Sequence, residues 1–316
     1  KMKFNGLVVT DASHMVAMTS AMKRSEMLPT AIAAGSDLFL FFNDPDEDFE
    51  WMMEGYKNGI ITDERLEEAL TRILGTKAAL GLHKKAKTEI LPEKEVAMAK
   101  IGLEENKAIA KEVSDKAITL VKNTQDVLPI APEKTKRVLL VEAKGFDGGF
   151  GKFIEIMGGA KKKPIEIVKE LLEAKGFDVE IWESPIDKIM KLPKEEMAQA
   201  LGNVYAGKRP IAELTSKYDL IINIANVNAS VDQRLQWPPS KGTPDIPFYV
   251  NEIPTIFISV KCPFHLADVP QVKTYINTYD DNQQTLEALV EKLVGNTEFK
   301  GISPVDAFCG FGDTRF

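Results

Sequence analysis

Cysteine is nearly absent: the 316 residues carry two, Cys262 and Cys309. A pair this isolated gives neither a disulfide framework nor a zinc-ligand spacing. It fits a reducing compartment and favours the cytoplasm over the cell exterior. Histidine is as scarce, with His14, His83 and His265 standing singly, so no metal centre is expected. Positive charge is not in excess either. Forty Lys and Arg face 47 Asp and Glu, for a net charge of −7, which argues against a nucleic-acid partner. No apolar run approaches the roughly 18 residues of a membrane span, and there is no internal repeat or low-complexity tract. Phosphate-binding signatures are missing as well. Val141–Gly151 is glycine-rich and follows a strand pattern, but it lacks Gly-x-Gly-x-x-Gly spacing, Gly-Lys-Ser/Thr and a helix opening directly from it. It reads as a loop at the C-terminal edge of a sheet, where ligands bind in open α/β folds, and no cofactor is expected. Lys161 to Lys163 reads as a solvated cluster.

What is present is a globular composition, 44% hydrophobic and 28% charged, at a length that favours two domains. Gly6 to Thr10 is a short apolar run without alternation that stops at one carboxylate, Asp11. Such a run suits a strand buried on both faces. In barrel enzymes a carboxylate at the C-terminal end of such a strand lies where chemistry is done. The plainer alternative is that Asp11 caps the next helix as an Asx turn. Pro29 to Phe42 reads as a small-residue helix end, a Gly stop and a second buried strand, with Asp37 in a cap or turn at its start. Two helices follow, Asp48 to Gly59 and Asp63 to Leu80. The second carries Leu66, Ala69, Leu70, Ile73 and Leu74 at helical spacing, begins at Thr62-Asp63 and stops at Gly81. The order strand, helix, strand, helix, helix is that of the last two βα units of a (β/α)8 barrel.

A polar linker starts at His83, and Glu93 to Leu120 reads as one long helix. Beyond it strands and helices alternate. Strands are expected at 137–142, 178–182, 220–225, 255–260 and 273–277, and helices at 164–175 and 285–294. That order predicts a mostly parallel sheet covered on both faces, an α/β sandwich. The expected domains are therefore 1–82, a barrel portion; 83–136, linker and connecting helix; and 137–316, the sandwich.

Three motifs together resemble glycoside hydrolase family 3: Gly6-Leu-Val-Val-Thr-Asp-Ala-Ser-His-Met15, Ala33-Ala-Gly-Ser-Asp-Leu38 and Ile61-Thr-Asp-Glu-Arg-Leu-Glu-Glu-Ala-Leu-Thr-Arg-Ile-Leu74. Ala117-Ile-Thr-Leu-Val-Lys-Asn-Thr124 is similar to the family's entry into its sandwich domain. The resemblance implies that Asp11 is the catalytic nucleophile of a retaining glycosidase. The Thr-Asp-Ala-x-x-Met form is similar to the β-N-acetylhexosaminidases, because the β-glucosidases usually carry a Trp where Ala12 stands; β-glucosidase is the alternative, and a non-catalytic α/β module or a nucleotide- or acyl-phosphate-binding protein are the rivals. A family barrel needs about 250 residues, and the hexosaminidases' Lys-His-Phe-Pro-Gly-His-Gly run is missing. The resemblance thus implies a C-terminal part of a larger enzyme, partnered by an N-terminal barrel portion and inert alone. It leaves the acid/base unassigned. The expected partner is a carbohydrate. His14, on the turn past Asp11, is a candidate substrate contact or a helix-start polar residue. Arg234 and Trp237 are candidates to donate to sugar hydroxyls and stack on a pyranose, or members of a plain surface loop.

Overall fold

The structure is a computed structural model that describes residues 4–145, 162–206, 210–227, 234–237 and 242–315. The chain divides into two compact units, Lys1–Ile101 and Gly102–Phe316. The division falls within the stretch 83–136 read as linker and connecting helix.

In the first unit the two apolar runs lie side by side and parallel. Val9 bridges Leu38, Asp37 N donates to Val8 O at 2.8 Å, Thr10 N to Leu38 O at 2.9 Å and Ser13 N to Phe41 O at 3.0 Å. Regular strand pairing is reduced to that one bridge, so the two expected strands are not full ladder elements. A parallel sheet is built for cover on both faces, yet Val9, Leu40, Phe41 and Phe42 stay 45–60% exposed.

Four helices frame this pair: α1 (Val16–Thr19), α2 (Arg24–Ala33), α3 (Pro45–Lys57) and α4 (Asp63–Ala79). Helix α3 begins three residues before the expected Asp48, because Asp44 caps it by accepting from the Asp46 and Glu47 N–H groups with Pro45 in the first turn. Thr62 caps α4 through Arg65 N. Helices α2 and α3 approach so closely that a Cβ on Gly55 would lie 2.2 Å from Pro29 Cβ. Only glycine fits there. Leu28, Met27, Ile32, Ile61 and Ala69 are buried in this unit.

The single long helix expected over 93–120 is broken. One turn at Lys94–Met98 ends before Gly102, which adopts φ +68°, and α5 (Glu104–Ala117) starts afresh. Apolar periodicity continues across the break, and the left-handed glycine ends the helix regardless.

The second unit holds a seven-stranded sheet: β1 (Thr119–Asn123), β2 (Arg137–Gly145), β3 (Asp178–Ile181), β4 (Leu220–Ala225), β5 (Leu235–Gln236), β6 (Thr255–Ser259) and β7 (Thr274–Asn277). The main order is β1-β7-β6-β4-β2-β3, with β5 beside the end of β2. All pairings among β2, β3, β4, β6 and β7 are parallel. Strand β1 is antiparallel to β7, and β5 to β2. The expected mostly parallel sheet is present, and β1, placed in the connector by the sequence reading, is one of its edges. Helices α6 (Pro164–Ala174), α7 (Lys194–Ala206), α8 (Ile211–Lys217) and α9 (Gln283–Leu293) accompany it.

Alternation along the strands splits the core. Leu140, Ile222, Ile258 and Ile276 join Val168, Leu172, Leu286 and Leu289 in one cluster. Leu139, Val141 and Ile221 pack with Tyr249 in another, and Phe257 and Tyr275 stack at 5.7 Å in a third. All six residues of β4 are buried, as a central parallel strand requires. Helix α5 is tied to α9 by Thr285 Oγ1 donating to Ser114 Oγ at 2.9 Å and by buried Lys292, which meets Asp115 at 2.7 Å and Glu298 O at 2.7 Å.

Candidate active site

Asp11 lies immediately after the bridged run, at its C-terminal end, and its side chain is exposed. Oδ1 accepts from the Ala12 N–H at 2.7 Å, the Asx-type contact of the plainer reading. The Thr10 hydroxyl donates to the Asp11 carbonyl at 2.7 Å. Oδ2 has no partner among the described residues. A carboxylate held by one oxygen and open on the other can act as a nucleophile.

The turn beneath it is held much more firmly. Ser13 is fully buried. Its hydroxyl donates to Asp48 Oδ2 at 2.7 Å and accepts from Asn43 N at 3.0 Å. Its carbonyl accepts from Arg24 Nη1 at 2.6 Å. Arg24 Nη2 pairs with Asp48 Oδ1, and its guanidinium lies 5.5 Å from the Trp51 ring centroid. The Asp48 side chain is wholly buried, in the first turn of α3, where the helix dipole favours a negative charge.

A second buried carboxylate joins the two apolar runs. Asp37 neither caps a helix nor closes a local turn, as the sequence reading has it. It accepts from Val8 N at 2.9 Å, pairs with Arg65 Nη2 and faces Arg72 at 3.4 Å. Burial is the largest influence on its carboxyl and pushes the pKa up, but the Val8 N–H and the two guanidinium groups outweigh it and hold the group below the usual Asp value. Arg65 also donates to Ile32 O at 2.9 Å, Ser36 O at 3.1 Å and Glu68 at 2.7 Å.

His14 stands exposed on the turn three residues past Asp11. Arg234 and Trp237 flank β5 in the second unit. Arg234 forms an ion pair with the buried Asp268 carboxylate, whose other oxygen accepts from Leu235 N at 3.0 Å. Trp237 is 36% exposed. Asp11 and His14 therefore share one turn, and Arg234 and Trp237 share another segment. Residues 146–161, which include most of the glycine-rich stretch and Lys161, lie outside the described residues, as do 228–233 and 238–241. Among the described residues no cluster of three or more His, Cys, Asp or Glu is arranged to hold a metal ion, and no helix is long and apolar enough to cross a membrane.

The sequence reading missed Ser13, Arg24 and Asp48 as parts of this turn. The available signal was Asp48 itself, a third acidic residue in a helix already capped by Asp44.

The family description "Glycosyl hydrolase family 3 N terminal domain" matches residues 1–76. A Cellulomonas fimi protein named β-N-acetylglucosaminidase/β-glucosidase is 38% identical over the whole chain, which covers 52% of that relative. This chain belongs to glycoside hydrolase family 3. A solved structure entitled β-glucoside phosphorylase BglX matches with 38% identity and a TM-score of 0.76 over 99% of this chain and 51% of its own. A family 3 β-N-acetylglucosaminidase from Paenibacillus sp. str. FPU-7 shares the fold, with a TM-score of 0.60 at 20% identity over 95% of this chain and 51% of its own. The chain thus spans about half the length of these family 3 proteins.

Proposed function

We propose that Asp11 is the covalent nucleophile of a retaining glycosidase acting on β-N-acetylglucosaminides, with β-glucosides as the alternative substrate class. In this reading the first unit is the closing pair of βα units of a (β/α)8 barrel, and the second is the α/β sandwich of the same enzyme. The observation that carries it is the position of Asp11 at the C-terminal end of a parallel-bridged apolar run, with one carboxylate oxygen open. Attack by that oxygen on the anomeric carbon breaks the glycosidic bond, while an acid protonates the leaving oxygen. Water then cleaves the glycosyl ester and restores the carboxylate. His14, exposed on the same turn, is the nearest substrate contact. Ala12 is buried, so the much larger Trp of glucosidases would have to displace the turn. That supports the acetamido-sugar preference.

The β-glucoside phosphorylase favours a second reading of the last step. Inorganic phosphate, rather than water, attacks the glycosyl ester and yields a sugar 1-phosphate and the free carboxylate.

The test uses an intact enzyme carrying this segment. Nitrophenyl N-acetylglucosaminide is expected to outperform the glucoside. Asp11→Asn is expected to remove roughly several powers of ten in rate with the fold retained. Near-normal turnover in the folded variant would sink the assignment. A phosphate-stimulated rate with sugar 1-phosphate as product selects the second reading.

A further inference from the structure

We propose that the half-buried Arg24, paired with the buried Asp48, positions Asp11 for attack by immobilising Ser13, two residues along the chain. This rests on the reading of Asp11 as nucleophile. The contacts are uneven in an informative way. The Asp11 side chain has a single partner, the N–H of its own neighbour Ala12, so nothing described grips the carboxylate from outside its turn. Ser13, in contrast, is gripped at every polar atom. Its N–H reaches Phe41 O at 3.0 Å, its hydroxyl bonds both Asp48 and Asn43, and its carbonyl takes the Arg24 guanidinium. Those partners come from three separate places: the end of the second apolar run, the first turn of α3 and the first residue of α2. The direction of the Asp11 carboxylate is therefore set by the turn, and the turn is set by Arg24 and Asp48.

The same pair also closes the excursion that leaves and returns at this point. Residues 14–23, carrying exposed His14 and α1, depart at Ser13 and come back at Arg24. Arg24 Nη1 on Ser13 O joins the two ends of that loop, and the guanidinium carbon lies over the Trp51 ring, 5.5 Å from its centroid. Stability alone does not call for such a pair, since an ion pair largely withdrawn from water roughly breaks even against apolar residues of the same shape. What it supplies is direction. Two charged groups with fixed hydrogen-bond vectors hold a backbone carbonyl and a hydroxyl to a few tenths of an ångström, and a misplacement of about 1 Å in a reacting group costs on the order of 10²-fold in rate.

The test uses an intact enzyme carrying this segment, assayed at a temperature where every variant is folded. Asp48→Asn and Arg24→Lys keep size and remove the charge or the fork. Ser13→Ala removes only the hydroxyl. Leu28→Ala, a core truncation one helical turn along α2 from Arg24, supplies a stability loss while leaving every polar contact of Ser13 in place. Asp48→Asn and Arg24→Lys are expected to lower kcat by about 10²-fold with KM within about threefold of the parent. The rate of trapping by a 2-deoxy-2-fluoro glycoside should fall in parallel, because positioning acts on nucleophilic attack itself. Leu28→Ala should lower Tm and leave kcat in place. Unchanged kcat and trapping rate in folded Asp48→Asn and Arg24→Lys would overturn the proposal. So would an equal kcat loss in Leu28→Ala, which would make the effect one of general stability. If Asp48→Asn does not fold, Ser13→Ala decides by the same two readouts. Full turnover in Asp11→Asn would instead overturn the nucleophile assignment beneath the proposal.

Discussion

Replacing Asp37 by Ala should unfasten the two apolar runs that present the candidate nucleophile. The Asp37 side chain is wholly buried and pairs with Arg65 and Arg72. Removing one partner of a buried pair costs roughly 3–5 kcal/mol, because the other charge is left uncompensated. Arg65 keeps Glu68 at 2.7 Å and two backbone carbonyls, which places the charge effect near the lower end. The Val8 N–H, bonded to Asp37 at 2.9 Å, loses its acceptor and adds about 1 kcal/mol. The expected loss is therefore about 4 kcal/mol. With a urea m-value of about 2 kcal/mol/M, the midpoint should fall by about 2 M. Trp51 lies in the first unit, whereas Trp182 and Trp237 lie in the second. Fluorescence of a Trp182→Phe, Trp237→Phe background thus reports the first unit alone. The pH dependence has a fixed sign. Asp37 is held below its ordinary pKa, so its contribution is complete above the unfolded value of about 3.9 and is lost as pH falls through the folded value. The advantage of the parent over Asp37→Asn should accordingly shrink below about pH 4. An unchanged midpoint for Asp37→Ala at pH 7, or an advantage that grows on acidification, would refute the reasoning.

Gly55→Ala should destabilise the first unit by about 1–3 kcal/mol, since its Cβ would meet Pro29 at 2.2 Å and force α2 and α3 apart; a thermal melt followed at Trp51 checks this. The 316-residue chain by itself should bind an apolar dye and release no nitrophenol from N-acetylglucosaminide, because Leu40, Phe41 and Phe42 remain half exposed on its bridged runs; turnover at an ordinary family 3 rate would contradict it.

The strands of the second unit were legible because β4 and β6 are mostly apolar runs, β2 and β3 are separated by a helix with a clear stop at Gly176, and the last helix stops as clearly at Gly295. Strand β1 was not, since Thr119 to Asn123 mixes apolar and polar residues, and what makes it a strand is pairing with β7 at the far end of the chain. The break at Gly102 was hidden because apolar residues keep helical spacing on both sides of it. At the candidate site Asp11 stood out as the lone carboxylate ending an apolar run. Arg24, Asp48 and Asp37 did not, because each looks like an ordinary surface charge until the fold pairs it, and spacing along the chain carries no record of partners 24–29 residues away.

The antiparallel edge formed by β1 also bears on how the second unit is made. Thr274 bonds Asn123 across 151 residues of chain. At about 5–20 residues per second, roughly 8–30 s of synthesis separate the emergence of these two strands from the ribosome. During that interval β1 has no neighbour, and the far side of β6 is open. The sheet is completed from its centre outward, and the strand synthesised first is among the last to be seated. A nascent chain halted before Thr274 would thus carry two unsatisfied strand edges at once, so the final stretch of translation decides whether this unit becomes a native sheet or a substrate for aggregation.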